Sequence, residues 1–221
     1  MKKTLFYLTI LSLVFCLLLT GRASAQFLSD NLTGRPITAN AYSEISGSPY
    51  LNDTWSVGMV KLANGDTYKN NLYLKYNLLD DEVYFKGKND ETLAFVDPVK
   101  EFTIGDGSKH YRAGYEGING FKTKAFFQVI ADGAVKLLKK TSVVITEIKQ
   151  YSAASNKFFE RSDLYIIYRN NKGQIVKKDK KSILSVLGDK QNELESYLKS
   201  NNINFKSDAD LGKLITYYNS L

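Results

Sequence analysis

Residues 55–104 read WSVGMVKLANGDTYKNNLYLKYNLLDDEVYFKGKNDETLAFVDPVKEFTI, and this stretch decides the fold class. Apolar side chains recur at every second position in short segments, as at Leu74 and Tyr76, and turn residues separate the segments. A period of two is typical of β-strands. The pair Asn64-Gly65 tolerates the positive φ angles of a tight hairpin turn. The stretch therefore predicts a β-meander that forms the first half of a sheet-built core.

Later segments continue the strand pattern. Asp132-Gly133 separates two apolar segments and predicts another hairpin. The segment 164–168 is apolar on both faces, which favours a central or covered strand over an exposed edge strand. These features extend the predicted β body to residue 181.

The hydrophobic period changes to about 3.6 at Ser182, which indicates helices. Ser207 and Asp210 have the spacing of a capping box, and an amphipathic stripe follows them to the C-terminus. Each helix has one apolar face, and we expect that face to pack on the sheet rather than on a partner. The predicted fold is therefore mainly β (α+β), an antiparallel β-sandwich or open barrel closed by two or three C-terminal helices.

The first 25 residues have the pattern of an export signal. Lys2 and Lys3 precede an apolar run, and residues 23–25 (Ala-Ser-Ala) are typical of a signal cleavage site. Two alternatives are an uncleaved anchor, for which the run is short, and a lipoprotein, for which Cys16 lies inside the run instead of at its end. The predicted organisation is a cleaved signal peptide (1–25), an extended lead-in (26–52), an antiparallel β body (53–181) and C-terminal helices in the same domain as that body (182–221).

Cleavage would remove three basic residues, no acid and the only cysteine, which lowers the formal net charge from +7 to +4. A cysteine-free mature chain has no disulfide and no thiolate nucleophile. The expected location is periplasmic or extracellular in the cell envelope, with no transmembrane segment after cleavage. Nucleic acid is not an expected partner there, whereas an anionic envelope or glycan surface suits a mildly basic protein.

Few residue types that carry catalysis are present. His110 is the only histidine, and the sequence contains no Gly-x-Ser-x-Gly, His-Glu-x-x-His or P-loop motif. We therefore expect no catalytic residue, no metal site and no cofactor. Chemistry that uses carboxylates alone stays open, because glycoside cleavage needs two acids and no histidine.

Five residues are candidates for ligand contact. His110, Tyr111 and Arg112 follow a Gly-rich turn, and more glycines follow them, so we expect a loop of the kind that often carries recognition. An aromatic ring can stack on a sugar, and a guanidinium can fork onto a carboxylate or phosphate. Lys177 and Lys178 belong to a basic cluster before the first helix, which either binds anionic lipid or glycan or is simply solvated.

Several segments resemble a family of uncharacterised secreted bacterial proteins. The resembling segments are 180–184 (KKSIL), 189–198, 202–206 (NINFK), 211–221 (LGKLITYYNSL), 48–51 with Trp55, and 135–140 (VKLLKK). They span most of the mature chain and include the ending Tyr-Tyr-Asn-Ser-Leu. The resemblance implies a common fold with a β-rich body and a helical C-terminus, and it transfers no activity and no site residue.

The leading hypothesis is a non-enzymatic envelope protein that binds an envelope protein, a glycan or a lipid. One alternative is a carboxylate-based glycan hydrolase, which requires a cleft with two paired acids. The other is a lipid carrier, which requires an apolar cavity inside the sheet.

Overall fold

A computed structural model describes residues 32–37, 42–148 and 156–221. Within these ranges the chain forms thirteen strands and three α-helices. The strands are β1 (Gly34–Pro36), β2 (Ile45–Ser46), β3 (Ser56–Leu62), β4 (Thr67–Tyr68), β5 (Tyr73–Asn77), β6 (Glu82–Lys86), β7 (Thr92–Phe95), β8 (Val99–Ile104), β9 (Lys109–Arg112), β10 (Phe127–Ala131), β11 (Lys136–Ile148), β12 (Asn156–Arg169) and β13 (Lys172–Val176). The helices are α1 (Lys180–Val186), α2 (Gln191–Asn201) and α3 (Asp208–Ser220), with a 3₁₀ turn at Gly188–Lys190. The predicted signal peptide lies outside the described residues.

One hydrogen-bonded path joins most of the strands, in the order β1-β7-β6-β5-β3-β8-β9-β10-β11-β12-β13. Neighbours along this path are antiparallel. β4 pairs with β3, and β2 lies parallel to β12. The prediction of a mainly β, antiparallel fold with C-terminal helices is confirmed.

The stretch 55–104 is more than a meander. β5, β6 and β7 are consecutive antiparallel neighbours, but β8 returns to pair with β3 instead of β7. This pairing sets Phe102 opposite Val60, and both side chains are completely buried. A local alternation pattern specifies a strand but not its partner, so the prediction of a simple meander is wrong on this point.

An aromatic core packs against the first half of the sheet. The Phe102 ring stacks on Tyr111 with centroids 4.7 Å apart, and the Tyr76 ring lies 5.2 Å from Phe102. The lead-in reaches this core at Leu51, whose N–H donates to the Tyr76 carbonyl at 2.8 Å. The first half of the open sheet is therefore packed around aromatic side chains.

The hairpin formed by β11 and β12 is covered on both faces only along the half that includes the start of β11 and the end of β12. The helices pack on one face over Leu137 and Ile167. The loop 113–126 covers the other face, where Tyr115 packs with Leu138. Residues 165–168 are all buried, so the prediction of a covered, central strand is confirmed for them, whereas Leu164 at the start of the predicted segment is 39% exposed.

The capping signals place the helices. Asp179 accepts a hydrogen bond from the Ser182 N–H at 2.8 Å and begins α1 two residues earlier than expected. Ser207 accepts from the Asp210 N–H at 3.2 Å and begins α3, as the capping-box spacing predicts. No helix within the described ranges has the length and apolar character needed to cross a membrane.

Candidate functional site

Strand β9 contains His110, Tyr111 and Arg112, so these residues do not lie in a loop as predicted. The segment forms a strand because it pairs along its whole length with β8. Side chains alternate between the two faces of a strand. Tyr111 therefore points into the aromatic core, while His110 and Arg112 point to the opposite face and contact Glu101.

Arg112 belongs to an ion-pair network on that outer face. Its Nε lies 3.1 Å from Glu101 Oε2, its Nη1 lies 3.0 Å from Asp132 Oδ2, and His110 Nε2 lies 3.3 Å from the same Glu101 oxygen. Burial alone would raise the pKa of Asp132, but hydrogen bonds from Lys136, Gly133 and Arg112 outweigh it and lower that pKa to about 2. The Arg112 guanidinium is therefore already paired with two carboxylates of its own chain, those of Glu101 and Asp132.

Lys177 and Lys178 have different environments. Lys177 is exposed, and its backbone N–H donates to Ser182 Oγ at 2.9 Å. The ammonium of Lys178 lies 2.6 Å from Asp208 Oδ1 and 4.6 Å from the centre of the Tyr165 ring. Asp208, the partner of Lys178, lines a cleft on the helix-covered face of the sheet, and Lys178 itself does not line that cleft.

This cleft, which we call the polar cleft, has a volume of about 390 Å³. It opens between the helix-covered core and the aromatic core, where β9–β12 face the lead-in and the start of α3. Its lining residues are Leu51, Asn52, Lys109, Tyr111, Gln128, Lys139, Thr141, Arg161, Asp163 and Asp208. Four strands, the lead-in and one helix therefore build a single concave site.

The acids of the polar cleft are neutralised within the chain. Lys139 Nζ lies 3.0 Å from Asp163 and 3.2 Å from Asp208, and Tyr165 donates to Asp208 at 2.8 Å. Burial would raise the pKa of Asp208, but hydrogen bonds from Lys178 and Tyr165 and the charge of Lys139 outweigh it, so that pKa is lowered. Both carboxylates are therefore paired with lysines, and the lowered pKa holds Asp208 in its ionised form.

Other lining groups have unused hydrogen-bonding capacity. Tyr111 is only 2% exposed, and within the described residues neither its hydroxyl nor the Gln128 amide has a hydrogen-bond partner. Burial raises the pKa of the Tyr111 hydroxyl to about 12, so it is a neutral donor at physiological pH. One N–H of Arg161 donates to the Tyr50 carbonyl at 2.6 Å. In the described part of the chain neither Arg161 nor Lys109 forms an ion pair with a carboxylate.

A second polar cluster, around Lys140, contacts Tyr76 of the aromatic core. The Lys140 ammonium is 2.6 Å from Asp81 Oδ1, and it also donates to the Tyr76 hydroxyl and the Phe126 carbonyl. Burial lowers the pKa of Lys140, and the charge of Asp81 offsets this only in part. Every ammonium contact is an internal one, which indicates a structural ion pair.

The described residues contain no group of three His, Cys, Asp or Glu side chains that could hold a metal ion.

Sequence reasoning reached Tyr111 but missed the other lining side chains of the polar cleft; the predicted Lys178 contacts one of them, Asp208. Lys139 and Asp163 come from the two strands of one hairpin, and Asp208 comes from the first turn of α3. The available signal was polar residues at alternate positions of otherwise apolar strands. That signal becomes a site only when the register, with Thr141 opposite Asp163, is known.

Comparisons with known proteins found no matching family model, no matching curated protein and no matching solved structure. The resemblance of the C-terminal segments to a secreted bacterial family therefore stays a prediction.

Proposed function

We propose that this chain is an exported cell-envelope protein that binds a small acidic ligand in the polar cleft and catalyses no reaction. The observation that carries the proposal is the Tyr111 hydroxyl, which belongs to a buried side chain and lines the cleft without a partner among the described residues. The hydroxyl itself reaches the cleft, while the ring that carries it is buried and fixed in direction. A hydrogen bond from such a donor to a charged ligand oxygen contributes about 1.5–3 kcal/mol.

The charges of the polar cleft favour an acidic ligand. Asp163 and Asp208 are paired with lysines of the same chain, whereas Arg161 forms no ion pair with a carboxylate in the described ranges, and Lys109 is attracted to Asp106 only beyond ion-pair distance. A guanidinium presents parallel N–H groups that match the two oxygens of a carboxylate or phosphate. The volume of about 390 Å³ lies near the lower end of the range for ligand pockets, which suits a molecule the size of a monosaccharide.

The hydrolase alternative has less support. A glycosidase needs a carboxylic acid whose pKa is raised so that it can donate a proton. The shifted carboxyl pKa values in the described part of the chain all move downward, as at Asp132 and Asp208. Asp81, the acid of the polar cluster around Lys140, pairs with the Lys140 ammonium and accepts a hydrogen bond from the Tyr76 hydroxyl.

The lipid-carrier alternative also has less support. It requires an apolar cavity within the sheet, and in the described residues that interior holds contacting rings, including those of Tyr76, Phe102 and Tyr111. The polar cleft is lined mainly by charged and amide side chains. An acyl chain would have to desolvate these groups without pairing them, which is unfavourable.

The proposal is tested by calorimetric titration of the purified protein with a glucose phosphate and with glucose as a neutral control. We expect the phosphate to bind and glucose not to bind. Tyr111→Phe and Arg161→Gln each remove a hydrogen bond to the ionised phosphate, so each should weaken binding about tenfold or more.

A matched control is Tyr84→Phe, which removes the hydroxyl of a buried tyrosine that does not line the polar cleft. This variant should bind as the wild type does. Equal binding of glucose and its phosphate, or unchanged affinity in both Tyr111→Phe and Arg161→Gln, would contradict the proposal.

A further inference from the structure

A second cleft, of about 620 Å³, lies where the lead-in approaches β5 and β12. We call it the aromatic groove. The rings of Tyr42, Tyr50 and Phe159 form walls of this groove, and Ser43, Asp53 and Lys75 supply polar groups. None of its lining residues lines the polar cleft, so the two sites are built from separate side chains.

The groove walls are held in place by contacts outside the groove. The Tyr42 hydroxyl donates to Asp80 Oδ2 at 2.8 Å, and its ring meets Phe159 edge to face at 5.6 Å. Tyr50 pairs with Asn77 at the end of β5 and accepts a hydrogen bond from Arg161 through its carbonyl. The rings therefore form a preorganised surface.

Lys75 is the unusual group in this surface. Its ammonium lies 4.8 Å from the centre of the Tyr50 ring and 5.2 Å from that of Trp55, within the range of cation–π contacts. Burial lowers the pKa of Lys75, and the nearby charge of Asp53 offsets this only in part. Within the described residues the ammonium has no hydrogen-bond acceptor, so a half-buried cation faces the groove with its N–H groups unused.

We infer that the aromatic groove binds a uronic acid residue of an acidic glycan, with the sugar carboxylate on Lys75 and the sugar ring against the aromatic walls. The carboxylate supplies the acceptor that the ammonium lacks, and this charge-assisted contact is stronger than a neutral one. The ring C–H groups pack on aromatic faces, as the apolar sides of sugars do. This inference does not depend on ligand binding in the polar cleft.

Two further groups favour a sugar over a bare anion. Asp53 and Ser43 are exposed at the groove, and neither side chain forms a hydrogen bond within the described ranges. A carboxylate and a hydroxyl can accept from and donate to sugar hydroxyls. A simple anion would offer no hydroxyl groups to Asp53 and Ser43 and would leave the aromatic walls uncovered.

Trp55 provides the readout, because it is the only tryptophan of the chain and its ring lies beside the Lys75 ammonium. The experiment titrates the protein with the galacturonic acid dimer and with the dimethyl ester of that dimer, which has nearly the same shape and no charge. We expect the acid to change the Trp55 fluorescence saturably and to bind at least about tenfold more tightly than the ester. Lys75→Met, which keeps an apolar stem of similar length, should abolish this preference for the acid.

Three controls separate the possible outcomes. Lys86→Met removes a lysine that pairs with Asp90 outside the groove and should leave acid binding unchanged. Tyr111→Phe should leave the Trp55 response intact, and Lys75→Met should leave glucose phosphate binding in the polar cleft intact, so each site can fail without the other. The inference is overturned if the acid and ester bind equally, if the acid causes no saturable change, or if Lys75→Met keeps the preference while circular dichroism shows it folded.

Discussion

Asp81→Asn tests the energetic role of the buried pair between Lys140 and Asp81. The Lys140 side chain is 5% exposed and the Asp81 side chain 26% exposed, with 2.6 Å between Nζ and Oδ1. Asp81 has a positive φ of 56°, which asparagine also tolerates, so this substitution removes the charge without straining the backbone. The amide can still accept from Tyr76, which leaves Lys140 as the group that loses its counter-charge.

Removing one partner of a buried ion pair typically destabilises a protein by about 3–5 kcal/mol. Because Asp81 keeps some contact with solvent, we expect the lower end, about 3 kcal/mol, for Asp81→Asn. Lys140→Met should cost less, about 1–2 kcal/mol, since water, the Tyr76 hydroxyl and the Phe126 N–H can still solvate the remaining carboxylate. The double variant has neither charge, so we expect it to lose about 2 kcal/mol, well below the sum of the single changes.

Urea unfolding followed by circular dichroism gives all four free energies. A second test uses pH, because burial lowers the pKa of Lys140 below its usual 10.5. Between the lowered folded value and 10.5 the unfolded state binds more protons, so the free energy of unfolding should rise with pH there. Without Asp81 the folded pKa falls further, so the deficit of Asp81→Asn should shrink as pH rises from the folded pKa of the variant to that of the wild type, and should then stay constant up to 10.5. A deficit below about 1 kcal/mol, or strictly additive single changes, would refute the reasoning.

Three further predictions concern the sheet, the outer network and the last helix. Gly58→Ala should lower the free energy of unfolding by about 1–3 kcal/mol in urea titrations, because the added Cβ would clash with the Thr103 carbonyl oxygen; Gly188→Ala, where an added Cβ meets no atom within 4 Å, tests whether loss of glycine alone has this effect. The lowered pKa of Asp132 stabilises the fold above pH 3.8, and this contribution disappears as pH falls toward 2, so in Asp132→Asn the free energy of unfolding should fall less steeply with decreasing pH. The carboxylate is 47% exposed, so after solvent screening we expect a contribution of less than about 1 kcal/mol, and an unchanged pH dependence in the variant would contradict the prediction. Asn219→Ala should cost about 1–3 kcal/mol in thermal or urea unfolding, because the Asn219 amide bonds both the N–H and the carbonyl of Val135, whereas Ser220→Ala should change little.

Local patterns predicted the element types because local physics decides them. Alternation at Leu74 and Tyr76 places one face of a strand in a core, and the hydroxyl of Ser207 caps α3 through a neighbour three residues away. Neither effect depends on the rest of the chain. Strand order is a different matter, because the return of β8 to β3 depends on which strands bury Phe102 best, and no short pattern contains that comparison.

The candidate site illustrates the same limit. His110, Tyr111 and Arg112 form one segment in sequence, but the strand sends Tyr111 to the polar cleft and the other two residues to Glu101. A sequence-adjacent trio was therefore a poor guide to a spatial site. Lys178 lies next to the cleft only because α3 brings the lining residue Asp208 to it, a contact across 30 positions of the chain.

The lead-in gives the clearest reason why function was hard to read from periodicity. Its backbone attaches it to the sheet, through the Leu51 N–H on Tyr76, the pairing of β2 with β12 and the hydrogen bond from Arg161 to Tyr50. A segment held by its backbone needs no alternating apolar side chains, so it shows no strand period. The same attachment frees its side chains for other contacts: Tyr50 lines the aromatic groove, and the adjacent Leu51 lines the polar cleft. The part of the chain with the weakest fold signal thus supplies a wall to both candidate sites, because holding a ligand and filling a core make competing demands on one side chain.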